Sequence, residues 1–194
     1  LEAALYGSQV AALFNQVQLA ETGADFSCTS LGNDPVGLAS PVTMRGVTAA
    51  YLFANTLVVL EVTEEVLRQT LERCAAYFTL VDGQPQISEE FLLPKVEHYN
   101  YDFYAGLSYT FDLRRPVGSR VIRLAKLDGS PLGSGKFRLC TSNYRATGTG
   151  GYEILRKCPV LWRGGTEMPD LTARYIQTHS PMPQLHNVEM RVIW

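Results

Sequence analysis

The sequence has little histidine. Its 194 residues hold three, His98, His179 and His186. None lies in an HxH or HExxH spacing, so the patterns that mark a catalytic metal are missing. The three read as surface or hydrogen-bonded side chains. Cysteine is also sparse. Cys28, Cys74, Cys140 and Cys158 are far apart and form no CxxC pair, which argues against a zinc site. Their apolar neighbours favour buried thiols, with one or two disulfides as the alternative. A thiol nucleophile lacks support, because no Gly-Cys elbow and no sequence-adjacent histidine partner accompany any of the four.

Long apolar runs are missing too. No stretch approaches the roughly 20 residues of a membrane helix, and no signal peptide opens the chain. Beginning on Leu1 rather than Met, it reads as part of a longer polypeptide whose targeting information lay on the preceding part. Lys and Arg number 17 against 19 Asp and Glu, a net charge of -2, and no basic run occurs. Duplex nucleic acid and membrane insertion are therefore unexpected as partners. A small nucleotide needs only a few placed groups and stays compatible. With 46% hydrophobic and 19% charged residues, the composition is that of one ordinary globular domain.

Local patterns predict helices and strands in mixed order. Leu5, Val10, Leu13, Phe14 and Val17 recur at helical spacing over Glu2 to Leu19, and Gly23 is placed to end that helix. Ala24 to Thr29 reads as a buried strand and Asn33 to Ser40 as a Pro/Gly loop. Val42 to Ala49 reads as a short helix with Thr43 as a cap. Thr56 to Val62 is the clearest strand. Thr63, followed by Glu64 and Glu65, caps a helix running to Tyr77.

Asp82 to Pro94 reads as a polar excursion around Phe91-Leu92-Leu93. From Leu107 onward strands dominate: Leu107 to Leu113, Arg120 to Leu127 and Phe137 to Ser142. A helix over Pro169 to Gln177 and a closing strand over Asn187 to Trp194 follow. The expected class is α+β (mixed α/β), one domain with helices packed on a mixed sheet.

Two segments suggest a binding site. Tyr51-Leu52-Phe53-Ala54-Asn55-Thr56-Leu57 places an aromatic at a helix-to-strand junction. Ser142-Asn143-Tyr144-Arg145-Ala146-Thr147-Gly148-Thr149-Gly150-Gly151-Tyr152 puts an aromatic at a strand end, before a glycine-rich loop. Glycines let backbone approach a ligand closely, and a Tyr face can stack on a base. No Lys-Ser/Thr follows, so this is no Walker loop.

Taken in order with further motifs, these segments resemble the C-terminal domain of the 5'-nucleotidase family. The nearer branch is the bacterial 2',3'-cyclic-nucleotide 2'-phosphodiesterase/3'-nucleotidases. The resemblance runs through Leu13-Phe14-Asn15-Gln16-Val17-Gln18, Ala24-Asp25-Phe26-Ser27 and the Tyr51 to Val59 segment. It continues through Tyr99-Asn100-Tyr101-Asp102, Gly106-Leu107-Ser108-Tyr109-Thr110-Phe111-Asp112, Pro116-Val117-Gly118-Ser119-Arg120-Val121 and Thr141 to Ala146.

The resemblance implies that a preceding metallophosphoesterase domain, absent from this chain, binds two divalent metal ions and performs hydrolysis. This domain would hold the nucleotide or nucleoside base between two aromatic rings, Phe53 and Tyr144. Asn55 and Asn143 would be polar neighbours of the base, with Gly148 and Gly150 in the adjoining loop. No catalytic residue, metal ligand or cofactor is expected within the chain. The setting implied is periplasmic, extracellular or cell-wall-associated. Two departures shift the expected substrate. Ser27-Cys28-Thr29-Ser30-Leu31-Gly32 lacks the Arg of the family's Gly-Gly-Ile-Arg loop. Thr149-Gly150-Gly151 lacks the Asp of its Gly-Gly-Asp-Gly motif. Both point away from 5'-monophosphates and towards 2',3'-cyclic and 3'-nucleotides. A 5'-nucleotidase substrate domain, or a non-catalytic sugar- or wall-binding module using the same aromatic pair, are the rival readings.

Overall fold

The computed structural model describes residues 1–182, 185 and 189–194. Helix α1 (Glu2–Tyr6) and helix α2 (Gln9–Thr22) replace the single helix expected from Glu2. Gly7 interrupts it at φ 88, and Ser8 caps α2 by accepting from the Ala11 amide at 3.4 Å. Gly23 ends α2 in the left-handed region. Strand β1 (Phe26–Ser30) follows. Helix α3 (Met44–Ala50) starts at the Thr43 cap, whose Oγ1 accepts from the Gly46 amide at 3.1 Å. Strand β2 (Thr56–Val62) has the predicted bounds. Helix α4 (Glu64–Ala75) begins at the Thr63 cap and places Glu64 and Glu65 in its first turn, where they face the positive end of the helix dipole.

The predicted polar excursion begins at the turn of a hairpin instead. Strand β3 (Phe78–Val81) turns at Asp82-Gly83 into strand β4 (Gln84–Ile87). Both turn residues have positive φ, 51° and 74°, the Asp-Gly chemistry that favours a two-residue turn. Next come strand β5 (Asp102–Ala105), strand β6 (Leu107–Asp112), strand β7 (Val121–Lys126) and strand β8 (Phe137–Ser142). The short helix α5 (Asn143–Ala146) occupies the start of the expected glycine loop. Strand β9 (Val160–Glu167), which the sequence pattern did not reveal, leads into helix α6 (Met168–Thr178). The closing strand is β10 (Glu189–Ile193). Asn187 and Val188 of its expected range lie outside the described residues, as does His186.

The class is α+β. A five-stranded sheet has the order β5-β1-β8-β2-β9, and a three-stranded sheet the order β10-β6-β7. The first is mixed: β1 and β8 run parallel, while β1–β5, β2–β8 and β2–β9 are antiparallel. Helix α2 lies on β1, β5 and β8, and α6 packs on α2, α3 and β9. Buried polar side chains on α2 staple it to the sheet. Asn15 Nδ2 donates to the Phe103 carbonyl at 2.9 Å, and Ser27 Oγ donates to Asn15 Oδ1 at 2.7 Å. Gln18 Nε2 reaches the Cys28 carbonyl at 3.2 Å. Each satisfied group avoids the desolvation penalty of an orphaned polar atom.

The other sheet is tied to α4 by Arg120. Its Nη1 donates to the carbonyls of Ala75, the last residue of α4, and Phe78, the first of β3, at 2.8 and 2.6 Å. The four cysteines are free thiols, three of them buried. Burial pushes the thiols of Cys74 and Cys140 up to about 12 and that of Cys28 well above its usual range, which makes them poor nucleophiles near neutral pH.

One residue carries the chain from the first sheet to the second. β5 and β6 are separated only by Gly106, at φ +88. A Cβ there would strike the Asp25 carbonyl and crowd Phe26. Gly106→Ala is expected to destabilise the domain by about 1–3 kcal/mol, read as a lowered midpoint in urea unfolding. An unchanged midpoint would show that the corner can relax.

Candidate functional site

Four remote segments meet at one cavity of about 350 Å³, lined by Ser30, Phe53, Asn55, Tyr99 and Tyr144. Ser30 ends β1. Phe53 and Asn55 occupy the junction between α3 and β2. Tyr99 sits in a 3-10 turn, His98–Asn100, just before β5. Tyr144 projects from α5 and is 39% exposed, so its ring is open to a ligand. The lining is mostly apolar with a few polar groups, the usual make-up of a small-molecule site.

Phe53 is braced through a ladder of rings. Phe14 meets Tyr51 edge-on at 5.0 Å between centroids, Tyr51 meets Phe53 at 6.1 Å, and Phe53 meets Tyr99 at 6.3 Å. Such edge-to-face contacts fix ring planes, at about 0.5–1.5 kcal/mol each beyond area burial. Asn55 donates through Nδ2 to the Tyr51 hydroxyl at 3.3 Å, and its backbone carbonyl accepts from the Met168 amide at 2.9 Å. The amide group of Asn55 is thus anchored at one end beside the cavity.

The other sequence-named residues have different places. Asn143 does not line the cavity. Its Oδ1 accepts from the Thr56 amide at 3.2 Å, joining α5 to the start of β2. Gly148 and Gly150 do not line it either. Both have positive φ, and both sit where backbone is crowded. A Cβ on Gly148 would meet Glu153 Cα at 2.9 Å, and one on Gly150 would strike Asn100 Oδ1 and Arg145 Nη1. The glycines therefore close the turn around Arg145 rather than line the cavity.

Arg145 and Asp102 form the ion pair beneath the site, each 2% exposed at the side chain. Nε donates to Asp102 Oδ2 and Nη2 to Oδ1, both at 2.8 Å. Nη1 donates to the Thr149 carbonyl at 2.6 Å, and Nη2 also donates to the Tyr99 carbonyl at 2.9 Å. The guanidinium lies 4.1 Å over the Tyr152 ring. Burial opposes the charge of Arg145, but the Asp102 carboxylate overrides it and holds the guanidinium protonated. Burial likewise pushes the Asp102 carboxyl up, against the pull of Arg145. The two-pronged geometry is what keeps both charges in place.

Tyr99 and Ser30 escaped the sequence reading as site residues. Tyr99 lies inside a motif quoted above, so the signal was present, but only the antiparallel pairing of β5 with β1 brings it to the cavity. Among the described residues no group of three or more His, Cys, Asp or Glu side chains could hold a metal ion, and no helix is long and apolar enough to cross a membrane.

A family model, the 5'-nucleotidase C-terminal domain, matches residues 3–157. The chain belongs to that family. It is 29% identical over 181 residues to the 2',3'-cyclic-nucleotide 2'-phosphodiesterase/3'-nucleotidase of Haemophilus influenzae, covering 81% of this chain and 26% of that protein. It is 26% identical over 151 residues to the trifunctional nucleotide phosphoesterase protein YfkN of Bacillus subtilis, covering 71% of this chain and 10% of that protein. A Staphylococcus aureus crystal structure described as a 5'-nucleotidase superposes with a TM-score of 0.93 at 32% identity, covering 98% of this chain and 38% of that one. The chain thus spans about a quarter of the Haemophilus relative and less of the Bacillus one.

The turn carrying Tyr99 is held from its far side by His98, whose Nδ1 lies 2.9 Å from the Tyr77 hydroxyl. Burial lowers the His98 pKa below its ordinary 6.5. Below pH 6.5 the unfolded chain then binds more protons than the folded one, so stability falls as pH drops through that value. The unfolding midpoint should fall between pH 7.5 and 5.5, and His98→Gln should lose less over the same interval. Equal losses in both proteins would remove His98 from this role.

Proposed function

We propose that this chain is the base-holding domain of a nucleotide-cleaving phosphoesterase, acting on 2',3'-cyclic nucleotides and 3'-nucleotides. The observation that carries the reading is the placement of Phe53 and Tyr144 on one cavity, with Tyr99 in the same lining. A flat base stacked on both faces needs about 7 Å between rings, two van der Waals separations of roughly 3.5 Å. Asn55 and Ser30 supply polar atoms at its edge. Every base has a π-face, so broad base tolerance follows. Ser30 belongs to the very stretch that lacks the family's Arg, which supports a substrate other than a 5'-monophosphate.

The chain spans only part of each relative, consistent with a preceding metallophosphoesterase domain in the same polypeptide. Two divalent ions held there would activate a water and stabilise the phosphoryl oxygens. The contribution of this chain is orientation. Fixing the base fixes where the phosphate points, and holding the reactants in place is worth several kcal/mol of barrier. A periplasmic, extracellular or cell-wall setting belongs to the same proposal.

Titrating the chain with adenosine, followed by tyrosine fluorescence, tests the reading. Saturable binding is expected. Phe53→Ala or Tyr144→Ala should weaken it about 5- to 150-fold, the equivalent of about 1–3 kcal/mol of lost stacking. Saturable sugar binding with no nucleoside response would instead favour a stand-alone binding module. Turnover of a 2',3'-cyclic nucleotide by this chain alone with added divalent metal would refute the division of labour.

A further inference from the structure

Tyr99 and Tyr144 come from segments that share no secondary-structure element. Tyr99 precedes β5 and Tyr144 lies in α5. One side chain joins them. Arg145 is the chain neighbour of Tyr144, and its Nη2 donates to the Tyr99 carbonyl at 2.9 Å. The same nitrogen and Nε clasp Asp102 at the start of β5, three residues beyond Tyr99. Nη1 takes the Thr149 carbonyl at 2.6 Å, and the Arg145 amide donates to Ser142 Oγ at 3.1 Å. Tyr152, beneath the guanidinium, donates its hydroxyl proton to the Asn100 carbonyl at 3.0 Å. The two tyrosine segments are thereby locked to each other through a single planar group.

A guanidinium offers donors in a rigid plane, which an ammonium on a flexible stem does not. Stability alone gives little reason for this choice. A buried ion pair is often no more stabilising than well-packed apolar residues of similar volume. What apolar residues cannot reproduce is the directed bond to the Tyr99 carbonyl. We propose that Arg145, clamped by Asp102, is the positioning residue that holds Tyr144 relative to the Tyr99 turn, whose ring braces Phe53, and so sets the width available to a flat base between Phe53 and Tyr144. This rests on the base-site reading of the cavity. Arg145 is buried and does not line that cavity. It acts through the two tyrosines.

The test compares urea unfolding and adenosine affinity in the wild-type chain, Arg145→Lys, and the paired Arg145→Met/Asp102→Leu variant. The paired variant should keep its unfolding midpoint and bind adenosine at least tenfold more weakly. Arg145→Lys should also bind at least tenfold more weakly, because the charge remains but the fork is gone. In the natural polypeptide at full length, the paired variant should raise KM and also lower kcat, because a base held less firmly fixes the phosphate less well.

A folded paired variant with wild-type affinity would overturn the proposal. Should neither variant fold, the wild-type protein still decides. Coupling between sites is reciprocal, so saturating adenosine should slow solvent exchange of the Arg145 Nε proton, seen by NMR, at least tenfold. An unchanged exchange rate would overturn the positioning role while leaving base binding intact. A wild-type chain that binds no nucleoside would instead sink the base-site reading, and this role with it.

Discussion

A guanidinium buried to 2% exposure must find a counter-charge and acceptors for its remaining donors, or the fold carries a large desolvation penalty. In this chain that requirement organises the region around the cavity. Asp102 supplies the charge, and Tyr99 and Thr149 supply carbonyls. The ring of Tyr152 supplies a flat floor. Gly150 supplies space that any side chain would fill. Tyr144 and Tyr99 take their positions from this arrangement, because both are attached to backbone that Arg145 holds.

The same logic of satisfied interior polar groups recurs at greater distance. Asn15 and Gln18 hold α2 against β1 and β5, and Arg120 closes the C-terminal end of α4. Several residues in the resembling motifs prove to have these framework tasks. Arg120 in the Pro116 to Val121 run and Asn15 in the opening helix both bond backbone, and neither lines the cavity. The glycines after Tyr144 belong with them. They resemble a ligand-approach loop in sequence, yet their close neighbours are Glu153, Asn100 and Arg145. A shared motif can therefore mark the frame of a site as readily as its lining.

Legibility differed by element for physical reasons. β2 was legible to its end residues because its run of β-branched and leucine side chains is fully local. The Thr43 and Thr63 caps were legible because a cap depends on residues only three positions apart. β9 was not: its residues are largely exposed, and it is a strand only because β2 offers it an edge. The β3–β4 hairpin was marked by Asp82-Gly83, but a four-residue strand containing Pro85 has almost no alternation to detect. Asn143 adjoins Tyr144 in sequence, but only the pairing of β8 with β2 brings its Oδ1 to the Thr56 amide.

By itself the sequence determined the class of domain and, through ordered motifs, singled out Phe53 and Tyr144 as the aromatic residues to look for. These depend on composition, short-range periodicity and patterns readable along the chain. Only the tertiary structure decided that Ser30, Asn55 and Tyr99 share a cavity with them. Only there does Arg145 meet Asp102, 43 residues earlier. Sheet order and register set such meetings. β1 must pair with β5 on one side and β8 on the other before the segments beyond their ends can converge, and no local pattern encodes that pairing.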